Sequence, residues 1–200
     1  MSMTIDYYLS LNSPWSFLGG ARLHALAARY GVSVNVCPID ASQVFPLSGG
    51  VPVTKRAPQR QAYRLLELDR WRKFLDIPLI LQPSNFPNAE AEAARLVAAA
   101  GLLGLDALAL ANAFGHALWV EDKAFAEADV RADVMAGLSF DVAALEARAV
   151  QAEVTDTLAQ FTAQAIERQV FGMPTYVFQG EMFWGQDRVD FLQRALAAAA

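Results

Sequence analysis

Residues 4–10, Thr-Ile-Asp-Tyr-Tyr-Leu-Ser, are β-branched and aromatic and predict a first strand. Ser13-Pro14 then offers a helix start, with a hydroxyl at the cap and proline at the first helical position. Helical spacing runs to about Tyr30 and stops at Gly31. Leu18, Ala21, Ala25 and Ala28 share one face, and Leu23, Leu26 and Tyr30 share the next, which predicts a largely buried helix. Alternation returns over 32–39 as a second strand, so the chain opens as a β-α-β unit suited to parallel pairing. Residues 41–58 read as a loop, with Gly49-Gly50 and prolines at Pro46, Pro52 and Pro58. Leu65, Leu68, Trp71 and Leu75 then recur at helical intervals, predicting a helix over 58–74. Residues 77–88 are irregular, and 89–152 are alanine-rich and helical, with breaks expected at Gly101, Gly104, Asp122 and Gly137. Val154, Leu158, Phe161 and Ala165 mark one more long helix, ending near Phe171-Gly172. The pattern then reverts to a strand at 175–179, a turn at Gly180-Glu181 and a partner strand at 182–184. Gly185-Gln186-Asp187 leads into a final helix that runs into the alanines at 197–200. The class is α/β: β-α-β, a long helical block, then β-β-α, and the hairpin after a parallel unit predicts a mixed sheet.

Composition narrows the function. The 200 residues fit one domain, or one domain with a large insertion. Hydrophobic residues at 54% and charged residues at 18% exclude a disordered chain. A mean hydropathy of +0.23 raises the question of a membrane. The most apolar region, 96–120, is interrupted by Gly101, Gly104, Asp106, Asn112 and His116, short of the roughly 20 residues a span needs. The first residues carry neither a basic nor an apolar leader pattern, so no secretory signal is expected. A net charge of -5 argues against nucleic acid and anionic membrane surfaces as partners. The single cysteine, Cys37, excludes an internal disulfide, and the cytoplasm is the expected compartment. Cys37, His24 and His116 fall short of a four-ligand zinc site, and no metal is expected.

The candidate chemistry sits at element ends. Ser13-Pro14-Trp15-Ser16 occupies the first strand-to-helix turn. The thioredoxin-like fold puts a Cys-x-x-Cys pair at such a turn, where a helix N-terminus favours a thiolate. Serine at both positions rules out dithiol chemistry and leaves either a hydroxyl donor at an anion-favouring end or a plain cap. Gly172-Met173-Pro174-Thr175 is either an ordinary strand opening or a cis-proline whose preceding backbone pairs with an extended ligand. Trp184-Gly185-Gln186-Asp187-Arg188 opens the last helix, where amides suit a carboxylate and Asp187 an amine, unless Asp187 only caps it. Arg56, Arg60 and Arg64 recur every four residues beside Lys55, as a solvated face or as an anchor for an anionic substrate. His24 and His116, inside helical patterns, read as structural, and Cys37 as a buried small hydrophobe.

Five pieces resemble, in order, the 2-hydroxychromene-2-carboxylate isomerase family, close to the kappa-class glutathione transferases. They are Ser13-Pro14-Trp15-Ser16-Phe17, Arg70-Trp71, Ile77-Pro78-Leu79, residues 166–175 (Ile-Glu-Arg-Gln-Val-Phe-Gly-Met-Pro-Thr) and Phe183-Trp184-Gly185-Gln186-Asp187-Arg188. The resemblance implies a DsbA-like, thioredoxin-like domain of residues 1–45 and 171–200, with an all-helical domain of 46–170 inserted. It implies glutathione as cofactor, bound between the two, and a homodimer. Ser13 would be the catalytic residue, hydrogen-bonded to the glutathione sulfur. The Met173 backbone would pair with the cysteinyl part, and Trp184, Gly185, Gln186 and Asp187 would hold the γ-glutamyl end. Lys55, Arg56, Asn85 and Phe86 are candidates for the substrate side. Phe45 and Phe86 depart from family members that carry lysine and tyrosine there. The implied reaction is cis-trans isomerisation of a small aromatic unsaturated keto acid through transient addition of glutathione thiolate. A transferase would end instead with a stable conjugate and consume glutathione. A non-catalytic thioredoxin-like binding module would fail to bind it.

Overall fold

The computed structural model describes residues 3–199. Part of the leader reading and the last alanine of the final run therefore lie outside the described residues. The opening unit is strand β1 (Thr4–Leu9), helix α1 (Pro14–Tyr30) and strand β2 (Ser33–Pro38). β1 and β2 are parallel, with Tyr7 beside Val36. Strands β3 (Thr175–Phe178) and β4 (Glu181–Trp184) return from the far end of the chain. β3 pairs antiparallel with β1, giving a mixed sheet of order β2-β1-β3-β4. Tyr7 and Tyr176 face each other across β1 and β3 and stack at 5.2 Å with planes 11° apart. The hairpin turn is Gln179-Gly180, one residue earlier than the sequence suggests. Both residues have positive φ, 51° and 86°, the requirement of a two-residue hairpin turn of type I′.

The ends of α1 follow local chemistry. Ser13 Oγ accepts the Ser16 N–H at 3.2 Å. Gly31 adopts φ 61° and its N–H closes the last turn. The predicted buried face is corrected in part: Leu18, Leu23 and Leu26 are buried, whereas Ala21, Ala25 and Ala28 are exposed. An alanine exposes little apolar area, so it marks a face weakly. Gly20 lets α1 approach a later helix, since a Cβ there would lie 1.8 Å from Asn112 Oδ1.

Between β2 and β3 the chain is helical: α2 (Ala41–Ser48), α3 (Pro58–Phe74), α4 (Ala91–Leu102), α5 (Ala107–Trp119), α6 (Ala128–Gly137), α7 (Val142–Ala149) and α8 (Ala152–Glu167). The final helix is α9 (Val189–Ala199). The predicted loop at 41–58 is corrected by α2 and by a short 3-10 turn at Val53–Lys55. Asp40 starts α2 by accepting the Ser42 N–H at 2.9 Å, Val44 is its buried residue, and Gly49 ends it at φ 73°. Gly101 lies within α4 rather than breaking it; the break comes at Gly104, with φ 71°. α8 stops at Glu167, short of Phe171, because Gln169 turns left-handed at φ 58° and Val170 N–H returns to Ala165 O at 2.8 Å.

β1 is buried on both faces. Ile5, Tyr7 and Leu9 join a core that runs through α1, α4 and α5. Tyr8, Cys37, Val44 and Ala165 form a second core on the other face. Cys37 is fully buried, and burial pushes its thiol far above the usual range, so it is an inert packing residue.

Candidate functional site

The N-terminus of α1, the segment before β3 and the turn after β4 meet at one place. Ser13 N–H donates to Ser10 O at 3.0 Å, which folds the turn that presents Ser13. Ser13 Oγ, besides capping α1, faces the Met173 carbonyl at 3.5 Å. Met173–Pro174 is cis, and Pro174 O accepts the Gly185 N–H at 2.9 Å. Gly172 packs under Trp184: a Cβ there would lie 2.5 Å from the indole Nε1. Phe171 and Trp184 stand together at 4.6 Å, and each is about half exposed at 41% and 50%. Gly185 takes φ 108°, a conformation that favours glycine, and a Cβ there would meet Asp187 Oδ1 at 2.6 Å. Two glycines thus let the Trp184 indole and the Asp187 carboxylate pack directly onto the backbone of the cis-proline segment and of the last turn.

That turn is braced by a residue the sequence does not flag. Arg22 reaches from α1 and donates to Gln186 O at 3.0 Å and Gln186 Oε1 at 3.1 Å, while its other nitrogen pairs with Asp190 at 2.7 Å. Gln186 is thereby buried. Asp187 stays partly exposed and pairs with Arg188 at 2.7 Å.

A second network fixes Ser13 from the other side. The Asn12 side chain donates to Asn88 O and accepts the Asn88 N–H, both at 2.8 Å. Glu90, largely buried, accepts Ser10 Oγ at 2.9 Å and the Asn12 N–H at 3.1 Å. Burial raises its pKa above the usual carboxylate value, and those hydrogen bonds offset part of the rise. Nothing in the local sequence marks Glu90, because its partners lie 78 and 80 residues earlier.

The substrate-side candidates fall on two segments, the 3-10 turn at Val53–Lys55 with Arg56, and the loop that holds Asn85 and Phe86. Lys55 is exposed on the 3-10 turn. Arg56 is partly buried and gives its Nε to Val51 O at 2.7 Å. Asn85 is committed to Asp122, donating its amide to the Asp122 carbonyl at 2.6 Å and its N–H to the carboxylate at 3.0 Å. Phe86 lies 5.2 Å from the Trp119 ring. Phe45 is in α2, close against Gly50. The basic face splits, with Arg60 exposed and Arg64 buried. His24 and His116 are half-exposed on α1 and α5 and pair with Asp106 and Glu121 at 3.1 and 3.3 Å.

A cavity of about 910 Å³ lies between the C-terminal end of α1, β2, α4 and α8, lined by His24, Ala28, Val34, Leu105 and Phe161. It touches none of the expected site residues. Its lining begins at His24, about 16 Å along the α1 axis from Ser13, and extends past the end of that helix. Among the described residues no group of three or more His, Cys, Asp or Glu could hold a metal. No helix among them is long and apolar enough to cross a membrane.

The model of a DSBA-like thioredoxin domain matches residues 4–197. A protein of Pseudomonas putida named 2-hydroxychromene-2-carboxylate isomerase is 31% identical over 195 residues, which is 97% of this chain and 94% of that protein. A second protein of that name, from Pseudomonas sp. (strain C18), is 31% identical over 200 residues, 98% of this chain and 91% of that protein. A solved structure described as a 2-hydroxychromene-2-carboxylate isomerase superposes with a TM-score of 0.82 at 31% identity, over 98% of this chain and 96% of that one.

Proposed function

From the premise that the chain belongs to the DSBA-like thioredoxin family, and within it to the 2-hydroxychromene-2-carboxylate isomerase family, we propose that it is a glutathione-dependent isomerase. Its substrate class is the aromatic unsaturated keto acids that resemble 2-hydroxychromene-2-carboxylate. The observation that supports this most is the placement of the Ser13 hydroxyl. It stands at the N-terminus of α1, 3.5 Å from the Met173 carbonyl, with serine rather than cysteine at both positions of the motif.

The residues present fit glutathione. The cis Met173–Pro174 segment beside Ser13, next to the half-exposed Trp184 ring, suits an extended peptide laid along its backbone. The part-exposed carboxylate of Asp187 suits an amine, in exchange for Arg188. Held by Ser13, the Met173 backbone and the turn at 184–187, glutathione would supply a thiolate nucleophile that is regenerated rather than consumed.

The protein's part is to hold that sulfur as an anion. Ser13 Oγ–H, now in a long contact with Met173 O, would donate to the sulfur, and such a bond to a charged acceptor contributes about 1.5–3 kcal/mol. The end of α1 adds roughly 0.3–1 kcal/mol. At about 1.36 kcal/mol per pKa unit the two lower a thiol by roughly one to three units. That suffices at neutral pH without a general base, and the hydroxyl is the larger contribution.

The test is turnover of 2-hydroxychromene-2-carboxylate with glutathione far below substrate concentration. Many turnovers per glutathione, with glutathione recovered, is the expected result. Loss of one glutathione per product would make the protein a transferase, and absence of both turnover and glutathione binding would make it a binding module.

A further inference from the structure

Among the described residues, Arg64 is a cation buried without an ion-pair partner. It exposes 9% of its surface, and its Nη2 has no hydrogen-bonding partner among the described residues. Its guanidinium lies 5.5 Å from the centroid of Phe86 and 5.9 Å from that of Trp119. Trp119 is fully buried, and its indole Nε1 also lacks a partner among the described residues. The charge that acts on Arg64 is another cation, Arg56. Burial and that neighbour lower the Arg64 pKa to about 10, which leaves it charged at neutral pH. An unpaired buried charge is unfavourable to the fold, and the two aromatic faces offset only part of it.

Two further facts give the cation a purpose. Residues 41–66 hold Lys55, Arg56, Arg60 and Arg64 and no Asp or Glu, in a chain of net charge -5. Phe86, which the guanidinium covers, belongs to the loop whose Asn88 is locked to Asn12, the residue before Ser13. We propose that Arg64 is the anchor for the carboxylate of the substrate, with Phe86 and Trp119 holding its guanidinium in place and Arg56 reinforcing the positive field. The class of ligand is a 2-oxo carboxylate attached to an aromatic group, a choice that rests on the function proposed above. The planar fork of arginine matches a carboxylate with two parallel hydrogen bonds, which an exposed point charge such as Lys55 does not offer.

The experiment is calorimetric binding of phenylpyruvate to the full chain without glutathione, in wild type, Arg64→Met and Arg64→Lys. Arg64→Met is expected to weaken binding by about thirtyfold or more. Its melting temperature should be unchanged or higher, because an unpaired buried charge is replaced by an apolar side chain. Arg64→Lys keeps the charge and loses the fork, so it should weaken binding by a smaller factor. Wild-type affinity in either variant, or no binding by wild type, overturns the proposal. Arg64-dependent binding of inorganic phosphate without binding of phenylpyruvate overturns it as well. Turnover separates the two claims. Arg64-dependent phenylpyruvate binding in a protein that does not convert 2-hydroxychromene-2-carboxylate leaves the anchor standing and removes the isomerase. Normal turnover with an unchanged KM in Arg64→Met does the reverse.

Discussion

Ser13 carries two duties that a substitution can separate. As a cap it accepts the Ser16 N–H, and as a donor it faces Met173. Ser13→Ala removes both, and losing a cap costs about 1 kcal/mol of stability. Losing the donor should raise the pKa of the bound glutathione thiol by roughly one to two units. At neutral pH the rate should then fall on the order of tenfold or more, with part of it recovered as pH rises. Thiolate absorbance titrated against pH in wild type and Ser13→Ala measures the shift, and superimposed curves would reduce Ser13 to a helix cap. Ser16 is the control. Its Oγ is buried without a partner among the described residues, and only its backbone serves Ser13. Ser16→Ala should keep activity and lose no stability, since it removes an unsatisfied hydroxyl. Both residues were legible in the sequence because capping is a matter of neighbours three positions apart. Arg64 was legible only as one of three arginines offered as a solvated face or an anion anchor: its periodicity is the same as that of exposed Arg60, and the rings that single it out come from positions 86 and 119.

Element ends decide where the chemistry sits, and one loop depends on one carboxylate. Glu90 stands just before α4 and ties the β1–α1 connection through Ser10 and Asn12. Its pKa in the fold lies above the free value of 4.5. The folded state therefore holds this proton more tightly than the unfolded chain does. The stability that follows is fully present below about pH 4.5 and is lost as pH rises through the higher folded value. Glu90→Gln should gain on wild type in unfolding free energy across that interval. Denaturant melts of both proteins from pH 4 upward check it, and a gap that narrows with rising pH contradicts the assignment. The variant keeps an acceptor for the Asn12 N–H, so the Ser13 turn should persist. Elements were read best where their signals are local. α3 was legible through its apolar spacing and its opening proline. α2 was misread because Pro46 and Gly49-Gly50 outweighed the Asp40 cap, although Val44 packing and that cap are enough to make two turns of helix.

At the scale of the whole molecule, the site joins segments about 160 residues apart in the chain, Ser13 to Met173 and Arg22 to Gln186. The order of strands made that meeting legible, since a parallel β-α-β unit and a late hairpin complete one mixed sheet. The brace was not legible, because an arginine inside an amphipathic helix looks like any solvated one. A ligand laid across these segments favours only the folded state, so glutathione should raise the melting temperature with concentration. At a hundred times its Kd the gain is about 2.7 kcal/mol, or roughly 5–10 °C for a chain of this size. Arg22→Met separates the brace from the chemistry. It frees the Gln186 turn that presents Asp187 but touches neither Ser13 nor Met173. The thermal shift by glutathione should shrink, and the concentration needed for half-maximal activity should rise. The pH dependence of the bound thiolate should stay that of wild type. A shift equal to wild type would show that the turn holds its shape without Arg22. A displaced pH profile would place Arg22 in the electrostatics of the sulfur rather than in the scaffold of the γ-glutamyl end.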